Sequence, residues 1–109
     1  MEGETDLEVM LRGMAVTRRP ETFVIVHRPE AVPLGDGIEA LVSEREGVTV
    51  VATVEAAERQ GWAYEFVAAW LTIDVHSSLE AAGLTAAFSR VLADRGIPCN
   101  VLAGYYHDH

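Results

Sequence analysis

The sequence contains no lysine, a single cysteine, and no apolar run approaching the roughly 20 residues of a membrane span. Each absence excludes something. Without lysine, 8 basic residues stand against 17 acidic ones, a formal net charge of −9. Such a surface repels phosphate backbones and anionic lipid, and no basic patch offsets it, since Arg18 and Arg19 form the only adjacent pair. Neither a nucleic acid nor a membrane is therefore expected as partner. Cys99 alone cannot form an internal disulfide framework. The first residues, MEGETDLE, are acidic where a secretory signal would be basic, and the expected location is cytoplasmic. Low-complexity stretches and long linkers are also missing.

What is present is a 109-residue chain, half of it apolar, enough for one compact domain or for two small half-domains sharing a core. From Asp6, a candidate N-cap, Leu7, Met10, Leu11 and Met14 recur at helical spacing. TFVIVHR (22–28) is rich in β-branched residues between Pro20 and Pro29 and predicts a strand. GDGIEALVSEREG places Asp36 three residues before Glu39, with Ile38, Leu41 and Val42 on one helical face and Gly47 as a stop, which predicts a short helix. VTVVATV (48–54) reads as a strand, EAAERQG as a turn or two of helix, and WAYEFVAAWLTIDVH mostly as strand, with Gly61 to Tyr64 as a seam.

In that last run Leu71, Ile73 and Val75 point to one face, and Trp70, Thr72, Asp74 and His76 to the other. LTAAFSRVLADRG carries Leu84, Ala87, Phe88, Val91 and Leu92 on one stripe, Thr85, Ser89, Arg90 and Asp94 opposite, and Gly96 as C-terminal cap. IPCNVLAGYY reads as a closing strand, with Pro98 near its start. Helices alternating with strands in this way predict an α+β domain, with helices packed on one face of a mostly antiparallel sheet.

The block LTIDVHSSLEAAGLTAAFSRVLADRGIPCNVLAGYYHDH, with VHSSL, GLTAA and GYYHDH in order and EREGVTVV upstream, resembles a specific group. It is similar to small bacterial proteins built from ACT-like domains, grouped with the CASTOR arginine sensors and related to the regulatory domains of aspartate kinases. The resemblance implies ferredoxin-like βαββαβ halves, here an N-terminal helix (1–17), a first half (18–64) and a second half (65–109). Members of the group continue past YYHDH into a further strand and helix, so it also implies a second half incomplete at its C-terminus. No active site and no cofactor are implied. The ligand is a small molecule such as an amino acid, held in the loop leading into a helix, which corresponds here to Asp74 through Leu84.

Read without the resemblance, HSSLEAAGL offers Ser77 and Glu80 at capping-box spacing. Plain helix capping explains this much. The functional alternative adds that the backbone N–H groups of Ser77, Ser78 and Leu79, beside His76 and loosened by Gly83 before Leu84, form a seat for a carboxylate. Asp74 or Glu80 would then meet the ammonium of a zwitterion. A hydrolase triad of Asp74, His76 and Ser77 is disfavoured, because adjacent strand residues diverge and no G-x-S-x-G elbow is present. His107 and His109 could project together as metal ligands, with His76 or Asp74 completing the site, but two terminal histidines make a weak site, and Tyr105 and Tyr106 are expected to anchor the strand instead. His27 reads as a satisfied strand residue, and Trp62 and Trp70 as packing residues. The sequence thus predicts a non-catalytic module that binds a small molecule and works as a homodimer, with a metal-binding domain or a purely structural interaction domain as alternatives.

Overall fold

Val24 and Val26 alternate with Ile25 and His27, and Val50 and Ala52 with Val51 and Thr53, so two paired strands turn one apolar face the same way. The computed structural model, which describes residues 16–73 and 78–109, builds its larger sheet on this pair. The elements are β1 (Val16–Arg18), β2 (Phe23–Arg28), β3 (Ile38–Glu44), β4 (Gly47–Thr53), α1 (Val54–Gln60), β5 (Val67–Ala68), β6 (Leu71–Ile73) and α2 (Ser78–Asp94). Every ladder between these strands is antiparallel, and the architecture is α+β, as expected. The helix expected from Asp6 to Met14 lies outside the described residues.

The chain divides into two units, one spanning Pro20–Trp70 and one formed by Met1–Arg19 with Leu71–His109. In the first, the strand order is β3-β4-β2-β5. Val24, Val26, Ile38, Val50 and Ala52 form a buried cluster with Ala56 and Ala57 of α1. The seven-residue helix is fixed at both ends. Thr53 Oγ1 accepts from Ala56 N–H at 3.1 Å, and Gly61 in the left-handed region (φ 74°) lets Gly61 and Trp62 donate back to Glu58 and Ala57. Trp62 and Tyr64 pack against the cluster, so the segment expected as a seam is part of this unit's core. Both tryptophans do pack: Arg28 lies 5.3 Å over the Trp62 ring, and Trp70 lies 5.1 Å from Phe23. His27 is an exposed strand residue whose Nε2 donates to the Glu46 carbonyl at 2.8 Å.

The helix expected after Asp36 is a strand. Gly35, Asp36 and Gly37 take φ values of 107°, 53° and 88°, which no helix start accommodates, and the chain then runs as β3 into a two-residue turn at Arg45-Glu46. The helical spacing has a definite origin. Ile38 pairs with Ala52, but Ala40 pairs with Val51 and Leu41 with Val50, because Glu39 is an extra residue bulged out of the ladder. Ile38 and Leu41, three apart, therefore face the same side as Val50 and Ala52. A bulged strand imitates the i, i+3 signature of a helix.

In the second unit β1 pairs with β6, from Val16↔Ile73 to Arg18↔Leu71. Phe88 and Val91 of α2 are buried, with Val16, Leu71 and Leu92 packed against them. Ala87, expected on this stripe, is exposed, and Thr85, expected opposite, is half-buried with its Oγ1 enclosed and without a hydrogen-bond partner. The helix ends as its glycine predicts: Gly96 (φ 73°) donates to Ala93 and Ile97 to Leu92. Residues 97–106 are not the expected strand. The chain stays exposed until Leu102 and His109 exchange backbone hydrogen bonds and Gly104 donates to the His107 carbonyl, closing a small hairpin. Ile73 donates to the Asp108 carbonyl at 2.8 Å, which attaches the hairpin to β6. Among the described residues no helix is long and apolar enough to cross a membrane.

Candidate functional site

Of the residues expected to bind a ligand, Asp74, His76 and Ser77 lie outside the described residues. Ser78, Leu79 and Glu80 open α2, and Gly83 and Leu84 follow within it. Gly83 is exposed, and a Cβ placed on it would meet nothing within 4 Å. The backbone of the chain thus leaves open space beside this turn of α2. As in any helix, the first-turn N–H groups have no acceptor within the helix itself.

The C-terminal histidines have no third described ligand beside them, and Asp74 and His76, which could complete a metal site, lie outside the described residues. The His107 and His109 rings are 6.3 Å apart and nearly perpendicular, and His109 Nδ1 lies 3.0 Å from Thr72 Oγ1. Zinc needs several donors at about 2.0–2.3 Å from one point. Among the described residues no group of three His, Cys, Asp or Glu side chains is placed to hold a metal. Tyr105 and Tyr106 anchor nothing: they sit at the hairpin tip, 95% and 82% exposed.

The structure adds a place that the sequence did not suggest. In the unit Pro20–Trp70 an open groove of about 970 Å³ runs past the start of α1. Its floor is a close junction of three segments. Thr53 donates its N–H to the Gly37 carbonyl at 2.8 Å, Val54 donates to the Thr22 carbonyl at 2.9 Å, and Arg59 Nη2 donates to the Asp36 carbonyl at 2.5 Å. A Cβ on Gly37 would lie 2.6 Å from Thr53 Oγ1 and 2.9 Å from Ala56 Cβ, so only glycine lets the turn sit on the helix start.

The walls carry Glu21, Asp36, Glu55 and Glu58 against the one guanidinium of Arg59, an excess of negative charge. Glu55 stands four residues before Arg59 and shares its side of the helix. Tyr64 donates its hydroxyl to Glu58 Oε2 at 3.2 Å. Partial burial of the phenol, the Glu58 charge and this hydrogen bond together raise the Tyr64 pKa above its ordinary 10.0. Among the described residues, the lining contains neither histidine nor cysteine, so none of them brings an imidazole base or a thiol nucleophile to the groove. It suits capture of a polar molecule with a cationic group. The one local signal that could have pointed here is Gly-Asp-Gly, which marks a turn more strongly than a helix cap.

Comparison with known proteins gives this geometry a context. A family model for the ACT domain matches residues 2–69. The crystal structure of a Vibrio cholerae protein of unknown function, a possible transport protein, is similar to this chain at 40% identity. The similarity covers 99% of this chain and 84% of that one, with a TM-score of 0.69. No curated protein matches.

Proposed function

The chain belongs to the ACT domain family, and from that membership we propose that it is a cytoplasmic homodimeric regulatory module, without catalysis of its own, whose ligand is an amino acid. ACT domains are generally non-catalytic regulatory modules that bind small molecules and often dimerise. The finer assignment, to the type of the CASTOR sensors and aspartate-kinase regulatory domains, belongs to the same proposal. So does the seat of the ligand, at Asp74, His76, Ser77, Ser78, Leu79, Glu80, Gly83 and Leu84.

The observation that carries this reading is the start of α2 at Ser78, just after β6 ends at Ile73. A 17-residue helix has an appreciable dipole, and the N–H groups of its first turn attract a carboxylate. Asp74 and Glu80 are the acids nearest in sequence to that turn, and a zwitterion needs both charges met.

Calorimetric titration of the whole chain with the twenty amino acids is the test. One of them binds, and Asp74→Ala weakens it by about 1.5–3 kcal/mol, the range for a hydrogen bond to a charged group. Ser77→Ala instead costs about 0.5–2 kcal/mol of stability through a lost cap, with or without ligand. Binding that survives both substitutions and disappears with Arg59→Ala would move the site to the groove beside α1. Failure of all twenty refutes the amino-acid reading.

A further inference from the structure

We infer that the uncharged, exposed strip from Gly96 to His107, with Tyr105 and Tyr106 at its tip, is the surface through which two copies of this chain associate. This rests on the homodimer reading above and names the surface that serves it. Three observations converge. First, the twelve residues from Gly96 to His107 contain no Asp, Glu or Arg, the longest such run in a chain of net charge −9.

Second, this run is exposed along its length. Ile97 is 47% exposed, Val101 47%, Leu102 38%, Tyr105 95% and Tyr106 82%, and Cys99 among them is exposed as well. Third, the tip is held rather than loose. Gly104 donates to the His107 carbonyl at 2.9 Å, Leu102 and His109 exchange hydrogen bonds, and Ile73 ties Asp108 to β6. The two tyrosine rings pack edge to face at 5.0 Å.

Charge selects the occupant. Two molecules of net charge −9 repel over most of their surfaces, and they approach most closely where neither presents an ion. Interface cores are depleted in charge and enriched in tyrosine, as this strip is. In a two-fold dimer the same patch lies on both sides, so an uncharged strip meets its own copy without a mismatched charge. The absence of arginine from the strip leaves nothing to engage an anionic partner or an anionic lipid surface. Standard interfaces use about 20–30 residues on each side, so a twelve-residue strip sets a weak, concentration-dependent dimer rather than a permanent one.

The test is sedimentation velocity of the full chain across the micromolar range. The wild type shifts from monomer to dimer, and Tyr105→Asp/Tyr106→Asp weakens the dimer at least about tenfold, as loss of central aromatic anchors does. Phe66→Asp, at a side chain 58% exposed in the other unit, leaves it unchanged. A second readout needs no substitution: Cys99 is the only cysteine, and its rate of alkylation by a maleimide falls as the dimer fills. A dimer that is indifferent to the tyrosine pair, with a Cys99 rate independent of concentration, overturns the strip and leaves the homodimer standing. A monomer at every concentration overturns both. Co-sedimentation with lipid vesicles in place of self-association also overturns the inference.

Discussion

Replacing Gly37 by alanine separates the strain of a backbone conformation from the strain of a close contact, because the chain supplies its own control. Gly37 and Gly61 both have positive φ, 88° and 74°. Around Gly61 an added Cβ meets nothing within 4 Å, so Gly61→Ala carries only the backbone term, about 1–2 kcal/mol. At Gly37 the same methyl would lie 2.6 Å from Thr53 Oγ1 and 2.9 Å from Ala56 Cβ. Overpacking of this kind adds about 1–3 kcal/mol. Gly37→Ala should therefore destabilise by about 2–5 kcal/mol, clearly more than Gly61→Ala.

Both tryptophans, Trp62 and Trp70, belong to the unit that contains Gly37, so urea unfolding followed by tryptophan fluorescence reports on the right part of the chain. The mechanism makes a sharper claim through a double-mutant cycle. Thr53→Ala removes the atom closest to the new methyl, along with a helix cap worth about 0.5–2 kcal/mol. In the Gly37→Ala background it should cost less than it does alone, with a coupling of about 1 kcal/mol. Equal destabilisation by Gly37→Ala and Gly61→Ala, or a strictly additive cycle, refutes the packing argument.

Two further expectations concern ionisation and metals. Because the folded state raises the Tyr64 pKa, its interaction with Glu58 contributes stability that is fully present below pH 10.0 and is lost as pH rises through the folded value. The difference between the ultraviolet titrations of the wild type and Tyr64→Phe should have a midpoint above 10.0, and a midpoint at or below it contradicts the assigned contacts. Calorimetric titration with zinc should show no tight site, because among the described residues no third ligand is placed with His107 and His109. Submicromolar binding abolished by His107→Ala is the result that would reverse this.

The parts of the fold legible in the sequence are those whose signal is local. β2 and β4 are short runs of β-branched residues, and α2 ends where Gly96 allows the left-handed turn. β3 was misleading because its bulge at Glu39 is set by pairing with β4, and a bulge changes the period that periodicity arguments read. The segment 97–106 failed for the complementary reason. Apolar composition there suggested a strand, but strand formation depends on a neighbour that takes the hydrogen bonds, and the pairing here is limited to the single bridge Ala103↔Asp108, flanked by the hydrogen bonds of Leu102 with His109 and of Gly104 with His107.

Family resemblance and family match rest on different stretches. The motifs that suggested ACT-like proteins lie mostly in 71–109, while the family model matches 2–69, and EREGVTVV is the motif they share.

The sequence by itself determined the sign of the surface, the absence of a disulfide framework and the α+β class, because charge, composition and short-range periodicity are properties of neighbouring residues. Only the tertiary structure decided what meets across the chain. Thr22, Asp36, Thr53, Arg59 and Tyr64 are scattered over forty-three positions, and they share a groove because antiparallel pairing returns β3 and β4 to β2 and sets α1 on that junction. Tyr105 and Tyr106, which looked like anchors, are exposed because a hairpin closed by backbone hydrogen bonds turns their side chains outward, a consequence of pairing geometry that no local pattern encodes.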